Sequence, residues 1–197
     1  MGVIAVIGSG NIGGTIGRAL ARAGLDVVFG SRDPLASKAA GETAARVATV
    51  AEAVAEADTV LLAVPGGGVP ALLRDHGAAL DGKLVVDASN NFPGPVLNAA
   101  AAVAELAPGA RYARAFNSQP WESYAEPTWD GVRGDLVFTA RAGADEVRVA
   151  ELIEAVGLRP YYVGPDKQDL ADAVLWLLLP ELERSGRHVG LHILGRG

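Results

Sequence analysis

The stretch Gly8-Ser9-Gly10-Asn11-Ile12-Gly13 carries the spacing that most clearly implies chemistry. An apolar run from Val3 to Ile7 precedes it, and Gly14 to Leu20 follows as the start of a helix. In such a setting Gly8 supplies a tight turn, Gly10 lets the main chain approach a pyrophosphate, and Gly13 lets helix and strand pack closely. Amides at the helix N-terminus then hold the phosphates. A second strand, Asp26 to Phe29, leads to Gly30-Ser31-Arg32, with Ser31 placed 18 residues past Gly13. A domain that binds NAD puts a carboxylate there, on the ribose 2′-hydroxyl. Here stand a hydroxyl and a guanidinium. Arg32 can pair with a 2′-phosphate through a fork of donors and Ser31 can add one more, so these residues point to NADP(H) rather than NAD(H).

Three further segments follow predicted strands, where an open parallel sheet binds its ligands. Pro65-Gly66-Gly67-Gly68 is bare of side chains, which suits close approach to a ribose or nicotinamide and equally suits a turn. Ser89-Asn90-Asn91-Phe92-Pro93 offers amides and one ring, and Asn117-Ser118-Gln119-Pro120-Trp121 offers carboxamides that bind carbonyls without titrating. No side chain is assigned as a catalytic acid or base. Asp87 at a strand end reads as a tie for its own loop, and His76, His188 and His192 read as solvated or structural. No pair of histidines has metal-ligand spacing, so no metal site is expected. Trp121 and Trp129 flank a loop holding Tyr124 and Pro127, and they read as either an aromatic slot or a satellite cluster.

The elements that must position these loops alternate. Strands are expected at 3–7, 26–29, 46–48, 59–64, 84–87 and 112–116, with helices starting at Gly14, near Pro34, at 50–57 and at 96–106. His76 falls in a further helix. That pattern predicts an α/β doubly wound parallel sheet of the Rossmann NAD(P)-binding type. A strand at 136–139, a helix at 144–156, a strand at 161–163 and a long helix at 166–184 are expected to extend it. The reading is one domain over 1–197, whose C-terminal extension from about 130 completes the sheet and an acceptor cleft.

Composition narrows the partners. The net charge is −6 with arginines scattered singly, which argues against nucleic acid. There is no cysteine, hence no disulfide, thiolate metal site or cysteine nucleophile, and this is compatible with the cytoplasm. The N-terminus runs straight into the glycine fingerprint without a basic leader, and no apolar run approaches the ~20 residues a bilayer needs. The segment Ala173 to Leu179 is apolar on all sides of its helix. One face can pack on the sheet, so the other is expected to meet a two-fold mate in a homodimer, anchored by Trp176.

Together with the fingerprint and Gly30-Ser31-Arg32, the turn at Val64-Pro65, Ala115-Phe116-Asn117 and the ending Gly157-Leu158-Arg159-Pro160 with Gly164-Pro165 resemble the NADPH-dependent coenzyme F-420 reductase family nearly end to end. The resemblance implies a compact Rossmann oxidoreductase passing a hydride between NADPH and a deazaflavin. It implies that Ser9, Ser31 and Arg32 hold cofactor phosphates and that Asn11 and Ile12 cross the pyrophosphate. Lys38 is the nearest counterpart of a basic residue that the family carries near the position of Ala36. It further implies nicotinamide contact at Val64, Pro65, Ala88, Ser89 and Asn90, and acceptor contact at Asn117, Ser118 and Trp121. The run Asn117-Ser118-Gln119 departs from the family's deazaflavin site. Two alternatives therefore stay open: NADPH-dependent reduction of a flavin, quinone or small carbonyl or imine, and a non-catalytic NADP(H)-binding redox sensor.

Overall fold

The computed structural model describes residues 2–37 and 45–194. Six strands, β1 (Ile4–Ile7), β2 (Val27–Ser31), β3 (Arg46–Thr49), β4 (Thr59–Leu62), β5 (Leu84–Asp87) and β6 (Arg111–Arg114), form a parallel sheet in the order β3-β2-β1-β4-β5-β6. Ile4 pairs with Val27 on one side and with Thr59 on the other, so β1 lies at the point where the order reverses. Ligands of such sheets bind in the crevice at that point.

The strands β1, β4 and β5 are short, mostly apolar and wholly buried because both faces are covered. Successive side chains alternate between faces. Ile4 and Val6 join Phe29, Ile16 and Leu20 in one core, under α1 (Asn11–Arg22). Ala5 and Ile7 join Val28, Val60, Leu62 and Leu73 in the other, under α2 (Val50–Glu56), α3 (Val69–His76) and α4 (Ala100–Leu106). α5 (Trp121–Ala125) packs on α1, and α6 (Ala144–Val156) shares the first core through Val149, Leu152 and Ile153.

Several elements differ from the sequence reading. The fourth strand stops at Leu62 and the sixth at Arg114, since Phe116 takes φ 60° and turns the chain out of the extended conformation. The helix expected from 96 begins at Ala100, because Asp87 Oδ2 captures the Ala99 amide (2.8 Å) and Asn98 Oδ1 accepts from the Ala100 amide (3.2 Å). Residues 34–36 form a turn held by the Ala36 amide on Asp33 Oδ1 (3.2 Å), and the rest of the helix expected from about Pro34 lies outside the described residues. A short hairpin of β7 (Thr128–Trp129) and β8 (Val132–Arg133) was not anticipated.

The C-terminal third does not extend the main sheet. β9 (Asp135–Phe138) and β10 (Arg159–Tyr162) pair with each other in a separate parallel sheet, joined to β6 by one antiparallel bridge between Arg114 and Thr139. The left-handed Phe116 stops that pairing on one side. The last helix, α7 (Gln168–Ser185), packs against β9 and buries Ala171, Asp172, Leu175 and Leu178 on one stripe.

Candidate functional site

The glycines of the fingerprint have different causes. Gly8 sits at φ 108°, and a Cβ on it would lie 2.5 Å from the Ala63 carbonyl oxygen. A Cβ on Gly13 would meet the Gly8 carbonyl oxygen at 1.9 Å and Ala63 Cβ at 2.9 Å. The fold itself demands these two. Gly10 has an ordinary φ of −72°, and a Cβ there would meet nothing within 4 Å. Its missing side chain serves open space at the mouth of the turn. The same is true of Gly68 in the Gly66–Gly68 turn that follows β4, and nearly so of Gly67, whose added Cβ would meet only Asn91 Oδ1 at 3.9 Å. Both cradles border the crevice beside β1. The first turn of α1 has no side-chain cap and no acidic residue, so its amides face that space with the positive end of the helix dipole.

Beside the turn lies an open recess of ≈ 490 Å³ lined by Ser9, Gly10, Ser31, Arg32, Asp33, Ala36 and Ser37. Ser37 Oγ donates to Ser9 Oγ at 3.0 Å, closing its far wall. Ser31 Oγ donates to the Asp33 carbonyl (2.9 Å) and accepts from the Asp33 amide (3.2 Å), which fixes the bend that presents Arg32. Arg32 is exposed and, among the described residues, pairs with no carboxylate. Sequence reasoning missed Ser37 and Asp33, although both are polar residues just past a strand end. Lys38 lies outside the described residues.

The ends of β4, β5 and β6 continue the rim. Val64 is half-buried and Pro65 exposed, and Ala88 is buried in the core on the other face of the sheet from Val64. Asp87 is a structural tie: Oδ1 accepts from the Ser89 amide (2.9 Å) and hydroxyl (2.6 Å), and Oδ2 from Tyr112 Oη (2.7 Å). Burial first, and the Asp87 charge second, hold the Tyr112 phenol well above its ordinary pKa. Arg114, wholly buried, was not singled out in the sequence. Its Nε and Nη2 reach Asp172 Oδ1 at 2.8 and 2.7 Å, Nη1 reaches Asp87 Oδ2 at 3.1 Å and the Ser89 carbonyl, and Nη2 donates to Asn90 Oδ1 at 2.8 Å.

That network engages several side chains of the expected contact list. The Ser89 hydroxyl is spent on Asp87, and Asn117 Nδ2 on the Ala171 carbonyl (3.1 Å) and Asp172 Oδ1 (3.2 Å). Both side chains are buried, as is Ser118. Of the three residues expected at the acceptor, only Trp121 keeps solvent exposure. Asn117 Oδ1, Ser118 Oγ and Gln119 Oε1 are buried without a partner among the described residues. Trp129 does not wall a slot with Trp121: it stacks on His188 (4.7 Å, 14°), donates Nε1 to the His188 carbonyl and fills the space over Gly134 and Gly190. His192 lies against Arg159 in the tail.

Residues 3–91 match the family model described as NADP oxidoreductase coenzyme F420-dependent, so the resemblance carried by the motifs holds over β1 to β5 and their loops. Among solved structures, a protein of Arthrobacter sp. FB24 described as a candidate F420-dependent NADP-reductase shares the fold. Its TM-score is 0.83 at 23% identity, covering 99% of this chain and 100% of that one. The hypothetical protein SMa0349 from Sinorhizobium meliloti is 28% identical with TM-score 0.72, over 84% of this chain and 86% of that one. The 3-hydroxyisobutyrate dehydrogenase of Mycobacterium tuberculosis, solved with L-serine, is 25% identical with TM-score 0.71. There 94% of this chain covers 62% of the dehydrogenase.

Proposed function

We propose that this chain is an NADP(H)-dependent oxidoreductase that transfers a hydride between NADPH and a deazaflavin acceptor of the coenzyme F-420 type. The observation that carries the cofactor half is Gly10, an ordinary backbone position kept free of a side chain at the helix N-terminus, with Arg32, which pairs with no carboxylate among the described residues, in the recess beside it. Backbone amides of Ser9 to Gly13 would hold the pyrophosphate, and Arg32 the 2′-phosphate. Val64, Pro65 and the Ala88 to Asn90 segment would line the nicotinamide half through backbone edges. NADPH, when bound, supplies the hydride.

This chain's own part is positioning. A hydride moving between two stacked heterocycles requires chiefly that donor and acceptor carbons meet at about 3–3.5 Å, so a site without an acid or base can catalyse it. Trp121, half-exposed at the start of α5, is the acceptor contact the geometry favours. The family match over 3–91 supports the deazaflavin as that acceptor. α7 leaves a second apolar stripe in solvent, with Leu170 at 47%, Trp176 at 52% and Leu177 at 66% exposure, rather than lying under the tail. We assign that stripe to a two-fold homodimer contact. Anaerobic stopped-flow oxidation of NADPH tests the activity: turnover with deazaflavin is expected. Turnover with flavin, quinone or an imine alone would redirect the acceptor, and none with any acceptor would leave a binding protein.

A further inference from the structure

We infer that Arg114 is a positioning residue for the nicotinamide half of the cofactor, acting through Asn90; the inference rests on the NADP(H) reading above. Arg114 is fully buried between two buried carboxylates, Asp87 and Asp172. Two carboxylates against one guanidinium is not what stability alone selects, since well-packed apolar residues commonly do as well in such a place. What the guanidinium adds is direction. It can only donate, so its 2.8 Å bond to Asn90 Oδ1 fixes which end of that carboxamide faces it. Asn90 Nδ2 is thereby turned to the Asn117 carbonyl, also at 2.8 Å, which ties the end of β5 to the end of β6.

Asn90 also grips the loop after β4. Its carbonyl accepts from the Gly66 amide at 3.1 Å, and the two loops touch so closely that a Cβ on Gly66 would lie 2.5 Å from the Asn91 nitrogen. Gly67 and Gly68, next in the chain, are the open backbone that borders the crevice. The route is continuous: Asp172 on α7 holds Arg114, Arg114 orients Asn90, and Asn90 sets the wall formed by Gly66 to Gly68. None of these groups approaches the recess of Arg32, which is built from the ends of β1 and β2. Arg114 should therefore govern one half of the dinucleotide and not the other.

A lysine keeps the charge but is a point donor without the planar fork, so Arg114→Lys removes the direction while leaving the buried carboxylates a cation. Calorimetry on the full chain with NADPH and with adenosine 2′,5′-bisphosphate, which carries the 2′-phosphate and lacks nicotinamide, separates the halves. Arg114→Lys is expected to weaken NADPH about 10-fold. Adenosine 2′,5′-bisphosphate should change by less than about twofold, as for a distant independent site. Asn90→Ala, which keeps Arg114 and both of its carboxylates in place, should give the same split, and the double variant should lose no more than the worse single one. Equal weakening of both ligands, no weakening of either, or additive losses would overturn the inference. Failure of adenosine 2′,5′-bisphosphate to bind the parent protein would instead overturn the NADP(H) reading, and the inference with it. Circular dichroism checks each variant's fold, and Asn90→Ala decides alone if Arg114→Lys does not fold.

Discussion

Gly10 and Gly13 stand three residues apart in one motif and should fail differently when replaced. A side chain on Gly13 drives into the Gly8 carbonyl, and overpacking of that kind costs about 1–3 kcal/mol or more. Gly13→Val should lower the midpoint of chemical denaturation. A side chain on Gly10 meets open space, so Gly10→Val should keep the parent's circular dichroism and melting curve while NADPH binding disappears from calorimetry. Retained binding in Gly10→Val would contradict the assignment of that space to a pyrophosphate. Arg32 is the selectivity residue at this scale. Charge-assisted bonds to a phosphate contribute about 1.5–3 kcal/mol, so Arg32→Ala should weaken NADPH roughly 10- to 100-fold and leave NADH nearly unchanged. Arg114 belongs to another class: Arg114→Met strands two buried carboxylates, and breaking such pairs costs about 3–5 kcal/mol, measurable by urea titration.

Among elements, β1, β4 and β5 were legible because each is a short, mostly apolar run buried on both faces and followed by a loop with its own punctuation. So was the cofactor turn, whose demands are local. The end of β6 was not. Arg114 reads as an ordinary arginine in an apolar run, and only the return of α7 some 58 residues later gives it Asp172. Asn117 reads as a loop amide for the same reason, since α7, whose Ala171 carbonyl accepts from it, is remote in sequence. The missed hairpin did carry a signal: Asp130-Gly131, at φ 50° and 81°, is the dipeptide that two-residue turns prefer. Replacing Gly131 by Val should therefore destabilise the hairpin and free Trp129 from His188, which a red shift of tryptophan emission would report.

For the whole molecule, stability should fall in alkali through buried phenols. Tyr112 and Tyr124 are both pushed up, by burial first. A phenol with a raised pKa in the folded state contributes stability that is complete below the unfolded value of about 10 and is lost as pH rises through the folded value. Ultraviolet titration should find these two ionising only with unfolding. The exposed stripe of α7 sets the assembly: light scattering at micromolar concentration should give a dimeric mass, and Trp176→Glu should give a folded monomer. A monomeric parent would contradict the dimer. α7 thus carries both the proposed dimer stripe and Asp172, the partner of Arg114.

The claim on which all of this converges is direct hydride transfer from NADPH held by Gly8 to Gly13 and Arg32. NADPH labelled with deuterium on one nicotinamide face at a time, mixed anaerobically with the protein and a deazaflavin, tests it most directly by mass spectrometry of the products. The account predicts that one labelled face, and not the other, delivers its deuterium to the deazaflavin carbon without loss to water. Label released to solvent from both faces, or an unreduced deazaflavin beside bound NADPH, would contradict it.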